Sequence, residues 1–356
     1  LLEVKEKYGE ERRTEIIENF ESLSIEDMIA EEEMVLTITH NGYIKRTNLN
    51  TYRSQRRGGR GVQGASSREE DFVEHLFVAN THSYILFFTD KGKCYWVKVY
   101  DIPEGGRAAK GRAIVNLIGC EPDEKVSAFI SVKEFNDDHF VVMATEKGIV
   151  KKTKLSAYSN PRKKGIYAVE IRDGDKLIEA RVSTGDNDIL LGTRNGKSIR
   201  FSEEQIRPSG RKTMGVKGIT LSSEDDRLVG MLLIKREGTT VLVATEKGFG
   251  KRTEISQYRA QKRGGKGVLT MKTTDKVGKM VTIKEVVDKD DLMIITNQGV
   301  LIRQPVSQIR AIGRATQGVK LIKLGEGTLV SSITRIMSEE DSGDENNSTE
   351  PKGNTE

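Results

Sequence analysis

The chain has 356 residues, 36% hydrophobic and 31% charged, with a formal charge of +5, one tryptophan and two cysteines. Its longest apolar runs, Tyr84 to Phe88 and Phe140 to Ala144, fall far short of the roughly 18 residues of a membrane helix. Cys94 and Cys120 cannot make a disulfide framework, which fits a reducing, cytoplasmic setting, and no membrane association is expected.

Residues 1–33 carry no strand pattern and read as a helix followed by a linker, with Ser24 and Asp27 spaced close to a capping box. With Leu1 first and nothing resembling a signal peptide, this segment is expected to be the end of a preceding domain in a longer protein. Charge is divided unevenly along the chain. Residues 1–33 hold 12 acids and 4 bases, and residues 338–356 hold 7 acids and 1 base, so residues 34–337 carry a net +19. A basic body between acidic ends is the layout of a nucleic-acid binder more than of a typical enzyme.

Within 34–337 a unit recurs six times: THNGYIKRT from Thr39, TDKGKCYWV from Thr89, TEKGIVKKT from Thr145, TRNGKSIRF from Thr193, TEKGFGKRT from Thr245 and TNQGVLIRQ from Thr296. The turn glycines are Gly42, Gly92, Gly148, Gly196, Gly248 and Gly299, spaced 48 to 56 residues apart. Glycine accepts the positive φ of a tight hairpin, so each unit predicts two strands joined by a turn. A second glycine follows at 17 or 19 residues: Gly61, Gly111, Gly165, Gly215, Gly267 and Gly318. Val62, Arg112–Ala113, Ile166, Val216, Val268 and Val319 come next and could open another strand. Each unit therefore reads strand, turn, strand, basic loop, strand, strand. Six such units predict an all-β radial array of six blades with four short strands each. The tail 338–356 has no apolar anchor and is expected to be disordered.

Several motifs fail on context. Gly59, Gly61 and Gly64 spell GxGxxG, but inside an arginine-rich loop of a β-repeat rather than between a strand and a helix. GTRNGKS from Gly192 is one residue too short for a phosphate-binding loop and coincides with a hairpin turn. His40, His75, His82 and His139 have no partners at metal spacing, and no nucleophile elbow is present. No catalytic residue, metal or cofactor is expected in this chain.

The bases are more informative. Repeat one has Lys45, Arg46, Arg56, Arg57 and Arg60; repeat two has Arg107, Lys110 and Arg112. Repeat three has Lys151, Lys152, Arg162, Lys163 and Lys164. Repeat four has Arg200, Arg207, Arg211, Lys212 and Lys217. Repeat five has Lys251, Arg252, Lys262, Arg263 and Lys266, and repeat six has Arg303, Arg310 and Arg314. Equivalent positions in a radial array should face one way, predicting a belt of charge along one rim. Duplex DNA following such a rim must bend, and half a turn over about 40 base pairs costs on the order of 10 kcal/mol. Several loops contacting phosphate could meet that cost, with steep salt dependence. No aromatic series recurs in the loops, so stacking on single strands is not expected.

Residues 55–61 read QRRGGRG, and this string resembles the gyrase A box. The six hairpin units around it are similar to the C-terminal domain of the A chain of DNA gyrase, a type IIA topoisomerase. The resemblance covers essentially the whole chain, including KYGEERRTEI at Lys7 to Ile16, which looks like the end of the breakage–reunion domain. It implies a six-bladed β-pinwheel that wraps double-stranded DNA with a positive crossing. Strand passage would convert that crossing to negative supercoils, with ATP and magnesium used on the gyrase B protein of an A2B2 assembly. The family's nucleophilic tyrosine belongs to the preceding domain, so no tyrosine here is expected to be catalytic. The box carries over as Gln55, Arg56, Arg57, Gly58, Gly59, Arg60 and Gly61, with arginine at 60 where lysine is common. QKRGGKG at 261–267 is a near copy, either an auxiliary anchor or an echo of the repeat. The acidic tail could compete with DNA or act as a passive spacer. Two alternatives share parts of this pattern. The corresponding protein of topoisomerase IV has a related domain without an intact box, and a propeller-like scaffold for acidic proteins would share the basic loops. The isolated chain is expected to be a monomer.

Overall fold

The structure, a computed structural model, describes residues 2–9, 25–48, 73–106, 109–121, 123–234, 238–298 and 301–336. The box at 55–61, Arg107, the turn glycine Gly299 and the acidic tail lie outside the described residues. Strands are numbered in chain order. Each repeat opens with a central strand: β1 (Glu33–Thr39), β4 (Tyr84–Thr89), β8 (Phe140–Thr145), β12 (Asp188–Thr193), β16 (Thr240–Thr245) or β20 (Asp291–Thr296). The hairpin partners are β2 (Tyr43–Asn48), β5 (Lys93–Lys98), β9 (Ile149–Lys154), β13 (Lys197–Ser202), β17 (Phe249–Glu254) and β21 (Leu301–Pro305). On the other side of each central strand lies β3 (Val73–Asn80), β7 (Val126–Val132), β11 (Leu177–Ser183), β15 (Leu228–Ile234), β19 (Met280–Val286) or β23 (Val330–Ile336). All of these pairings are antiparallel.

The fold is a six-bladed β-propeller, with one exchange that the repeat did not reveal. The two-residue strands β6 (Arg112–Ala113), β10 (Ile166–Tyr167), β14 (Val216–Lys217), β18 (Val268–Leu269) and β22 (Val319–Lys320) each complete the sheet of the preceding blade. Thus β6 of the second repeat pairs with β2 of the first, and β22 of the sixth pairs with β17 of the fifth. Among the described residues, blade six has three strands, in the order β21-β20-β23. The ring comes round where β23 packs against β3.

The recurrent threonine and glycine have a common cause. Thr39, Thr89 and Thr145 accept the amides of Gly42, Gly92 and Gly148 on their carbonyls at 2.9–3.0 Å. Their hydroxyls accept the amide one residue past the glycine at 3.1–3.3 Å. The turn glycines described have φ of 76–81°, a region that a side chain disfavours. The second glycine has a different reason. A Cβ on Gly267 would overlap the carbonyl oxygen of Ser198, where one blade's loop crosses the strand of the blade before it. Its φ is 69°. Gly267→Ala is expected to cost more than about 1 kcal/mol of stability from the backbone alone, plus the overlap. Urea unfolding measures it, and an unchanged midpoint would contradict this close crossing.

Central strands are buried on both faces, which is why they appear in sequence as unbroken apolar runs rather than alternating ones. In β4, Ile85 and Phe87 join the core against blade one, while Leu86 and Phe88 join the core against blade three. β8, β12 and β16 repeat this division with Val141/Val142, Ile189/Leu190 and Val241/Leu242. The hydrophobic core is therefore a set of layers between blades.

Candidate nucleic-acid interface

β7, β11, β15, β19 and β23 pack successively against one another and so line the hub. At the opposite edge of each described four-stranded sheet lies the exchanged two-residue strand, which puts it and the basic loop before it on the perimeter. Backbone hydrogen bonds tie these loops from blade to blade. Glu170 donates to Thr213 at 3.1 Å, Thr220 to Gly265 at 2.9 Å and Lys272 to Thr316 at 3.0 Å. The second strand beneath also holds the loop: Ser209 donates to Lys152, Gln261 to Arg200 and Ile312 to Arg252, at 2.8–2.9 Å. Among the described residues, the loops of repeats three to six are thus joined into one belt by the protein's own hydrogen bonds.

The structure divides the expected rim bases into two groups, and one group is corrected. Lys45, Lys151, Lys152, Lys251 and Arg252 are buried, each 8% exposed or less. They fasten the neighbouring blade. Lys45 donates to the carbonyls of Gly106 and Ala109 at 3.0 Å. Lys151 donates to Ala168 at 2.8 Å and to Arg211. Lys251 donates to Gly313 at 2.7 Å, to Arg314, and to the Thr316 hydroxyl at 3.0 Å. One residue further along the strand, a second clamp reaches the next blade's short 3-10 turn. Arg46 donates to Ile102 at 2.7 Å, Trp96 to Tyr158 at 2.9 Å, Arg200 to Tyr258 at 3.2 Å and Arg252 to Ile309 at 2.6 Å. Lys152 instead pairs with buried Glu203 at 3.2 Å. A strand buried on both faces turns these charges inward, and backbone carbonyls receive them. They cannot offer their donors to phosphate while so engaged; they hold the loops that can.

The loop bases are different. Lys110, Arg112, Lys163, Lys164, Lys212, Lys262 and Lys266 are exposed, as are Arg162, Arg207 and Arg310. Arg211, Arg263 and Arg314 are half-buried. Within QKRGGKG, Arg263 donates to the carbonyls of Gln205 at 2.9 Å and Lys217 at 3.2 Å, tying this loop to blade four. Arg314 donates to Leu269 at 3.0 Å. Lys320 is an exposed rim base that the motif reading omitted. Its signal was available, because it stands two residues past a second glycine, as Lys217 does. Residues Gly192–Ser198 span β12, a hairpin turn and the start of β13, so the GTRNGKS string forms a turn.

Burial lowers the pKa of Lys45, and lowers those of Lys151 and Lys251 to about 8, with Arg211 and Arg314 adding repulsion in the latter two. For Lys251 the unfolded chain holds its proton more tightly than the folded one between pH 8 and the ordinary lysine value. This group's contribution to stability therefore rises with pH across that window. A neutral amine still has two N–H donors for the carbonyls.

Among the described residues no three His, Cys, Asp or Glu side chains converge as a metal site, and no helix is long and apolar enough to cross a membrane. One cavity, of about 310 Å³, is lined by Arg194, Arg227, Glu246 and Asn297 among others, and Arg194 meets Glu246 at 3.4 Å.

Comparison with known proteins follows the same blade pattern. The family described as DNA gyrase C-terminal domain, beta-propeller, matches residues 33–80, 83–133, 139–184, 187–235, 239–286 and 290–336. The DNA gyrase A protein of Staphylococcus epidermidis is 47% identical over 344 residues, covering 96% of this chain and 38% of that protein. The DNA gyrase A protein of Staphylococcus aureus is 46% identical over 358 residues, covering 100% of this chain and 40% of the relative. The chain thus spans about two fifths of the length of these relatives. Among solved structures, a C-terminal domain of DNA topoisomerase IV superposes with a TM-score of 0.76 at 26% identity, covering 87% of this chain and 95% of that one. A DNA gyrase A C-terminal domain gives a TM-score of 0.67 at 24% identity, covering 86% and 100%, a likeness of fold. With six matched segments falling on six blades, the chain belongs to the family of DNA gyrase C-terminal β-propeller domains.

Proposed function

We propose that this chain is a non-catalytic part of a gyrase A protein, binding duplex DNA along its perimeter and bending it into a positive wrap. The observation that carries this reading is the division of the bases. Exposed ones lie in the perimeter loops, and buried ones hold those loops in a belt. A pre-formed belt loses little conformational entropy when it meets phosphate, leaving more of each contact's free energy for bending. The contacts would be Lys110, Arg112, Lys163, Lys164, Lys212, Lys262 and Lys266, with Arg211, Arg263 and Arg314 at the edges of their loops. Gln55 to Gly61 would supply the specialised contact of the first repeat. In the full protein the breakage–reunion domain would pass a second duplex through this crossing, powered by ATP and magnesium on the gyrase B protein of an A2B2 complex.

Two other readings give different results. The topoisomerase IV likeness concerns the same fold, and the intact QRRGGRG string favours gyrase. A scaffold for acidic proteins would not respond to duplex length. The test is DNA affinity of the chain as a function of salt and length. The wrap predicts steep salt dependence, a gain in affinity up to a limiting duplex length, and a slope reduced by about 1 for each exposed loop lysine changed to alanine. Affinity independent of duplex length would contradict wrapping.

A further inference from the structure

Part of the acidic flank ahead of the blades is seated on them. Residues 25–33 contain five acids and no base, and Ile25–Met28 form one 3-10 turn. Glu26 pairs with the Lys98 ammonium at 2.5 Å. Lys98 has a side chain only 13% exposed, lies 3.9 Å from the centre of the Tyr84 ring, and donates to the His82 carbonyl at 2.9 Å. Three residues after Glu26, the Ile29 carbonyl lies 2.9 Å from His82 Nε2, whose ring stands edge-on to Tyr100. Buried Thr81 then donates its hydroxyl to Ala30 at 2.8 Å and accepts the Glu32 amide at 3.1 Å. Asn48 donates to the Glu32 carboxylate at 2.9 Å, and Glu31 stands 3.7 Å from His82 Nδ1.

The residues receiving this segment come from two blades. Thr81 and His82 lie in the connection between β3 and β4, which joins blade one to blade two, and Lys98 ends β5 of blade two. Contacts of Thr81 with Glu32 merely extend the pairing of β1 with β3. Those of Lys98 and His82 do not, because they reach sideways across the junction. An exposed ion pair would fix little, but Lys98 is largely enclosed. Burial opposes its charge, and Glu26 with Tyr84 outweighs that effect, leaving its pKa raised. Without Glu26 a mostly buried ammonium would lose its counter-charge.

We propose that residues 26–32 form a docked strap whose seat is Lys98 and His82, and that this seat fixes the direction in which the polypeptide ahead of the blades leaves the junction of blades one and two. A strap tied at one end of β1 alone would leave that direction free. A strap tied across two blades makes it part of the fold. Its consequence for a wrapped duplex, a fixed orientation relative to the preceding segment, rests on the proposed function; the docking does not.

Hydrogen exchange on the chain, without DNA, tests the seat through the amides of Ile29 and Glu32, bonded to Glu26 and Thr81 respectively. In the wild type, Ile29 is expected to exchange at least about tenfold more slowly than a coil, as closed local structure does. Lys98→Met keeps the stem over Tyr84 but removes the charge, and should release Ile29 to the coil rate while core strands stay protected. Lys98→Arg, which keeps a charge and donors for Glu26 and the His82 carbonyl, should retain protection of Ile29. Coil-rate exchange in the wild type, or full protection of Ile29 in Lys98→Met, would overturn the proposal. DNA affinity of Lys98→Met is expected to match the wild type. A loss of affinity with exchange unchanged would place Lys98 on the rim and sink the seat.

Discussion

Replacing Arg56, Arg57 and Arg60 together with alanine is expected to abolish ATP-dependent supercoiling by the full-length protein reconstituted with gyrase B, while relaxation without ATP survives. The reason lies in how a bend on the order of 10 kcal/mol is held. Under the proposed wrap, loops along the perimeter would share that cost, and the first repeat concentrates three arginines and three glycines in seven residues. Arginine keeps its charge and offers a planar fork to phosphate, and glycine lets the backbone come close. Losing three phosphate contacts should lower the salt slope of DNA binding by about 2–3. Binding by the other loops would persist, but the path would no longer close into a crossing. Supercoiling at the wild-type rate would remove the box from the account.

Lys251→Met should have a comparably large effect on a different quantity. The methionine side chain fills the same place without donors, leaving the Gly313 and Arg314 carbonyls and the Thr316 hydroxyl without their ammonium partner. Thr316 still donates to both carbonyls, so the loss is that of the bonds to a charged donor, about 2–3 kcal/mol in stability near neutral pH. The gap between wild type and variant should widen as pH rises from 8 toward 10, because burial holds the Lys251 pKa at about 8 and the neutral amine still donates. The double change Lys262→Ala and Lys266→Ala should do the reverse, weakening DNA binding with little change in stability. Urea unfolding at several pH values, beside DNA titrations, separates the two. A Lys251→Met protein with unaltered stability and reduced affinity would return Lys251 to the rim.

What the sequence made legible follows from which features leave a local mark. The turn glycines and the threonines ahead of them were legible because positive φ and the hydroxyl-to-amide bond are local requirements that few residues meet. The five-residue apolar runs marked central strands for a similar reason, since a strand buried on both faces has no polar register. The exchange of the fourth strand left no mark. Val268–Leu269 is too short to carry a period, and its partner β13 lies about 70 residues back. Lys151 and Lys152 misled because sequence gives their charge but not their acceptors. Ala168 and Glu203 come from elsewhere in the fold. Glu26 presents the same difficulty, since its partner Lys98 is 72 residues away.

Nicked circular DNA religated with this chain bound, then stripped of protein, tests the central claim most directly. A positive wrap predicts a shift to positive linking difference that grows with protein added until the perimeter is saturated. No shift, or a negative one, would contradict the account.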